Sequence, residues 1–152
     1  MKTIDTREYV SVLREITENG STASMVVAGN SMAPFLADQR DVICFSRPNR
    51  PLRPGDMAFF RRANGDYVMH RIIRIGPAGC ELIGDAQTRP EGPIAPAQIF
   101  AVVTRVRRKG KWLTPRSPQW FFFAHIWRRM IPLRPWAMRR WAAVRRIFPQ
   151  KK

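Results

Sequence analysis

Residues 53–75 read RPGDMAFFRRANGDYVMHRIIRI, and the turn signal Asn64-Gly65-Asp66 joins two apolar runs, 57–61 and 67–75. Asn-Gly between apolar segments is a strong short-range hairpin signal, because both residues tolerate the positive φ that a tight turn demands. Pro54-Gly55-Asp56 supplies a turn that feeds the first run. Further strand-length apolar segments lie at 24–28, 42–46, 81–83 and 99–106, separated by turn-rich pieces at 47–55 and 76–79. Many short strands punctuated by Gly and Pro predict a mainly β domain, a compact barrel or sandwich-like body.

The flanks read differently. Residues 4–18 predict a short amphipathic helix with Tyr9, Val12, Leu13 and Ile16 on one face, Thr3 or Asp5 at its start and Asn19-Gly20 at its stop. Beyond Trp112, Pro115 and Pro118 mark a linker, and 120–148 interleaves aromatics with paired arginines. Pro132 and Pro135 are expected to divide that stretch into two short helices. The chain thus divides into an N-terminal helix (1–20), a β-rich domain (21–112) and a basic aromatic tail (113–152).

Charge follows the same division. Residues 1–100 hold 12 Lys and Arg against 11 acids, whereas residues 101–152 hold 15 Lys and Arg and no acid. A hydrophobic content of 45% suffices for a packed core and argues against wholesale disorder. Cys44 and Cys80 stand alone in apolar surroundings and read as reduced structural thiols; no metal or cofactor is expected. Charges recur at Asp5, Arg7, Glu8, Arg14, Glu15 and Glu18, which is unlike an export signal. The longest apolar run, 120–127, falls far short of the ~20 residues a membrane span requires.

Three short motifs carry chemistry. They are Gly29-Asn30-Ser31-Met32-Ala33-Pro34, then Arg53-Pro54-Gly55-Asp56-Met57 leading through the hairpin to His70-Arg71, then Gly84-Asp85-Ala86 with Glu91 beyond. Each alone is an ordinary turn or strand end. In this order they resemble signal peptidase I and the related repressor-type autoproteases, which share a β-rich, barrel-like catalytic fold. The matching boxes are Ser31-Met32-Ala33-Pro34, Gly55-Asp56-Met57, His70-Arg71 and Gly84-Asp85, and the resemblance spans about residues 24–108. It implies Ser31 as nucleophile and His70 as general base. Histidine at the base position resembles the archaeal and endoplasmic-reticulum branch; no lysine lies between Lys2 and Lys109 to form a Ser-Lys dyad.

The chemistry is consistent with that assignment. A serine hydroxyl needs a base within hydrogen-bond reach, and an imidazole both accepts its proton and returns it to the leaving amine. The histidine in turn needs an acid that fixes its tautomer. Asp85 and Glu91 are the two candidates, with Asp85 narrowly preferred. Gly29, Asn30, Met32 and Pro34 are expected to shape the substrate site, Gly29 by letting an extended peptide approach closely.

The expected activity is endopeptidase cleavage of a peptide or precursor protein. The alternatives are a silent peptide-binding module at the membrane surface and a repressor-like autoprotease; only 30 residues precede Ser31, too few for a DNA-reading domain. The tail predicts attachment to an anionic membrane surface through Trp120, Trp127, Arg128, Arg129, Trp136, Arg139, Arg140, Trp141, Arg145 and Arg146. The expected location is accordingly cytoplasmic and peripheral on the inner face of the membrane. No nucleic-acid motif accompanies the basic stretch, so nucleic acid is not an expected partner.

Overall fold

The computed structural model describes residues 6–147. The body is one antiparallel sheet of eight strands: β1 (Ala23–Val26), β2 (Val42–Ser46), β3 (Met57–Arg61), β4 (Tyr67–Gly76), β5 (Gly79–Ile83), β6 (Glu91–Ile94), β7 (Ile99–Arg108) and β8 (Lys111–Leu113). Their order is β1-β2-β7-β3-β4-β5-β6, with β8 pairing β7. The protein is therefore mainly β, as the apolar segments predict. β6 and β8 escaped the sequence reading, since Glu91-Gly92-Pro93-Ile94 carries two poor strand formers and β8 is three residues long.

The β3–β4 hairpin forms as expected. Ala58 faces His70 across it, the Arg62 N–H donates to the Asp66 carbonyl at 2.8 Å, and Gly65 sits at φ +94°. β3 is apolar on both sides because both of its faces are covered. Met57 and Phe59 join the larger core with Met32, Phe35, Phe45 and Val103, while Ala58 and Phe60 join a smaller one with Ile72 and Leu82.

Helix α1 (Thr6–Glu18) packs on β1 and β7, turned from the expected face. Val10, Leu13 and Thr17 are buried, whereas Tyr9, Val12 and Ile16 are exposed. Thr17 tolerates burial because its hydroxyl donates to the Arg14 carbonyl at 2.7 Å. The proposed caps Thr3 and Asp5 lie outside the described residues.

The C-terminal segment is part of the same core and not a separate appendage. Helix α2 (Pro118–Phe121) runs into a wide helical turn, Phe122–Ile126, and two tight turns before helix α3 (Arg134–Ile147). Trp120, Phe123, Ala124 and Trp127 recur at helical spacing and are buried in the larger core, Phe123 stacking 4.8 Å from Phe35. Trp120 and Trp127 are thus core residues, which corrects their assignment as membrane contacts. Among the described residues no helix is long and apolar enough to cross a membrane. Cys44 and Cys80 are buried free thiols on separate strands.

Candidate functional site

Ser31 stands in the loop that leaves β1. Gly29 opens this loop at φ +85°, a conformation suited to glycine, and its N–H donates to Asp38 Oδ1 at 2.8 Å. Asp41, fully buried, closes the loop by accepting the Ala37 N–H at 2.8 Å and the Lys109 N–H at 3.1 Å, with Arg40 alongside. Burial pushes the Asp41 carboxyl up, but these donors outweigh it and hold the group below the usual carboxylate range. Arg108 pins the next turn by donating to the carbonyls of Phe35 at 2.6 Å and Pro34 at 3.2 Å.

The Gly-Asp box lies directly against this loop. The Ala86 N–H donates to the Ser31 carbonyl at 2.9 Å, and a Cβ on Gly84 would collide with that same oxygen. Only glycine permits the approach, so the separation of 53 residues in sequence closes through backbone contact. The box is also tied to the His70-Arg71 pair. Arg71 Nε and Nη2 each donate to Asp85 at 2.8 Å, and Nη1 donates to the Gly55 carbonyl at 2.9 Å. Arg71 therefore ties its own strand to the Gly55 turn and to the Gly84-Asp85 box, and that box in turn meets the Ser31 loop. The His70 side chain lies on the face of Ala58 and Phe60 in the smaller core.

In this arrangement neither candidate acid bonds the imidazole. Both Asp85 oxygens are occupied by Arg71, so Asp85 serves the scaffold. Glu91, at the start of β6, is the acid whose charge acts most on His70, and it is itself gripped by Arg62 Nε and Nη2 at 2.8 and 2.7 Å. Arg62 holds Glu91 below the usual carboxylate range. His70 is 3% exposed, and its Nδ1 is buried without a hydrogen-bond partner. Burial lowers its pKa to about 4; Glu91 and Asp85 oppose that shift and Arg62 adds to it. The imidazole is consequently neutral at physiological pH. Among the described residues no hydrogen bond joins the Ser31 hydroxyl to His70.

A cavity of about 180 Å³ opens beside Ser31. Met25 of β1, Val27, Ala28 and Gly29 of the loop beyond it, and Tyr67, Val68 and Met69 of β4 line it, with Val10 of α1 and Met32. Val27 and Gly29 lie past the end of β1 and are already bonded, Val27 to the backbone of Asp41 and Gln39 and Gly29 to Asp38. Among the described residues β1 pairs with β2 alone, and β5 pairs β4 from Arg71 onward, which leaves one edge of residues 67–69 without a strand partner. Of the residues expected to shape this space, Gly29 and Met32 line it. Asn30 and Pro34 do not; Asn30 accepts the Ala33 N–H at 3.1 Å, and Pro34 serves the Arg108 tie.

Residues from the C-terminal segment hold the 84–87 loop in place; the sequence reading gives Trp127 and Arg128 to the membrane and does not single out Arg134. Trp127 Nε1 donates to the Asp85 carbonyl at 2.8 Å. Arg134, fully buried, donates from Nη1 to the carbonyls of Gly84 at 3.0 Å and Gln87 at 2.9 Å, and from Nη2 to that of Trp127 at 3.2 Å. Arg128 turns inward as well, bonding the Ala124 carbonyl at 2.8 Å. No protein-family model, curated protein or solved structure matches this chain.

Proposed function

We propose that the protein is a serine endopeptidase resembling signal peptidase I, and that its sheet is the barrel-like catalytic fold of that group. The observation that carries the reading is the apolar cavity at Ser31, lined by Met25 of the edge strand β1 and by Tyr67, Val68 and Met69 of β4, which β5 does not pair. An extended peptide laid between β1 and the first residues of β4 would satisfy both edges and pass its carbonyl carbon beside Ser31. A volume of about 180 Å³ suits small side chains at alternate positions of such a strand.

Ser31 Oγ attacks the carbonyl carbon while His70 takes its proton, and the tetrahedral intermediate collapses as His70 returns that proton to the departing amine. Water then releases the acyl group by the same route in reverse order. The Ser31 N–H is the natural oxyanion donor. Glu91 is the acid that tunes His70, and a bound strand that excludes water strengthens its pull.

A peptide-binding module without activity is the second reading. It is favoured by the missing Ser31–His70 hydrogen bond and by the hold of Arg62 on Glu91, which leaves His70 Nδ1 unpartnered. Catalytic hydrogen bonds commonly tighten only in the substrate complex, so the peptidase reading stands first. Incubation with a pool of extended peptides, followed by mass spectrometry, separates the two. Cleavage after small residues that vanishes in Ser31→Ala supports the peptidase, whereas saturable binding without cleavage supports the module.

A further inference from the structure

We infer that the outward face of the C-terminal segment is a docking surface for an anionic lipid bilayer. Its inward face is already committed: Trp120, Phe123, Trp127 and Arg134 are buried, and Ala137 and Met138 pack on the core. What remains outside is strongly apolar and strongly basic at once.

Along α3, Trp136, Val144 and Ile147 are each more than half exposed. At 100° per residue they fall within an arc of about 80°, and Arg140 falls inside the same arc. The Arg140 guanidinium lies 5.5 Å from the Trp136 ring centroid, so cation and aromatic share one patch. Arg139 and Arg146 are exposed along one flank of the stripe. Phe121 of α2 and Phe122, Ile126 and Leu133 of the turns that follow add exposed apolar side chains. Arg145 belongs to the same basic run, but its side chain lies outside the described residues.

Two arguments choose the occupant. Residues 101–152 contain no Asp or Glu, so the arginines of this face have no acidic side chain in their own segment to neutralise them and complement a dense field of negative charge. Large aromatic and aliphatic side chains interleaved with those charges suit the headgroup boundary, where rings sink below the phosphates and guanidinium groups remain among them. A nucleic-acid backbone would satisfy the charges and leave Trp136, Val144 and Ile147 in water. Because Arg134 and Trp127 join this segment to residues 84–87, a docked α3 holds the Ser31 cavity at a fixed distance from the bilayer. The inference does not depend on the chemistry at Ser31.

The test is co-sedimentation of the full chain with phosphatidylcholine vesicles, with and without phosphatidylglycerol, at constant salt. Binding is expected only to the anionic vesicles. The triple variant Arg139→Gln/Arg140→Gln/Arg146→Gln should lose about fivefold per arginine. Trp136→Ala/Ile147→Ala should lose about tenfold or more. Both variants change exposed side chains, and an unchanged melting temperature will confirm that each is folded. Equal binding to neutral vesicles, no binding to either, or tighter binding to duplex DNA or RNA than to anionic vesicles would overturn the inference.

Discussion

Arg71 and Asp85 form a two-pronged ion pair with both side chains fully buried, 14 residues apart in sequence and 2.8 Å apart in each arm. The pair joins the strand that carries His70 to the loop that abuts Ser31, so the spacing of the site depends on it. Removing one partner leaves a buried charge uncompensated, at a cost of about 3–5 kcal/mol. Asp85→Asn is therefore expected to lower the melting temperature by about 10 °C or more. Arg71→Met/Asp85→Leu should recover much of that loss while leaving the site inactive. An unchanged melt for Asp85→Asn would show that the pair contributes little.

Gly84 and Gly29 are expected to respond differently to alanine. A Cβ on Gly84 meets the Ser31 carbonyl, so Gly84→Ala must push the nucleophile loop away. The expected stability cost is about 1–3 kcal/mol, with loss of the activity at Ser31. Gly29 has open space around it and a φ of +85°, so Gly29→Ala meets only backbone strain of about 1–2 kcal/mol. Chemical denaturation of both variants, alongside an activity assay, distinguishes displacement from strain.

His70 predicts a specific pH dependence. Its folded pKa is about 4, depressed from 6.5 chiefly by burial. The unfolded chain therefore binds the extra proton between these values, and stability falls as pH drops from about 6.5 toward 4, by up to about 3 kcal/mol. Above pH 7 this contribution is complete and flat. Comparing wild type with His70→Gln by denaturation across this window isolates the effect, because the carboxylates titrate in both. If the two curves run parallel, His70 is not buried as described. The same pKa places the acid limb of any Ser31-dependent activity near 4 to 5, well below that of an ordinary histidine.

Trp127 is expected to support the site through one hydrogen bond. Trp127→Phe keeps most of the ring but leaves the buried Asp85 carbonyl without its donor, costing about 1–3 kcal/mol. Arg134→Met removes donors to three carbonyls and should cost more. Truncation before Pro118 combines both losses with those of Trp120 and Phe123, and the shortened chain is expected not to fold stably. A cooperative melt of that truncated chain near the wild-type temperature would contradict the role of the C-terminal segment as part of the core.

What was legible in the sequence had local signals. The 64–66 turn, the apolar runs that became β1 to β5 and β7, and the order of the four boxes all rest on neighbouring residues. The missed features depend on partners far away. The sequence prefers Asp85 to Glu91 by a narrow margin, and the structure shows Arg71 and Arg62 claiming one each; nothing local assigns those arginines. Trp127 and Trp136 look alike within an aromatic, arginine-rich stretch, yet one is buried against residues 84–87 and the other lies in water. The spacing of Trp120, Phe123, Ala124 and Trp127 was the available signal, a helical stripe that marks an inner face. Helix α1 shows the converse: its most apolar stripe is not the buried one, because Thr17 supplies its own hydrogen bond and takes a core position.

The central claim, an activated Ser31 served by His70, is tested most directly by labelling the intact protein with a fluorophosphonate at neutral and mildly alkaline pH. Peptide mapping then locates the adduct. The account predicts a single adduct on Ser31 that is lost in Ser31→Ala and strongly reduced in His70→Ala, with both variants folded. The absence of any adduct on a folded wild-type protein, or an adduct on Ser31 that forms equally fast in His70→Ala, would contradict it.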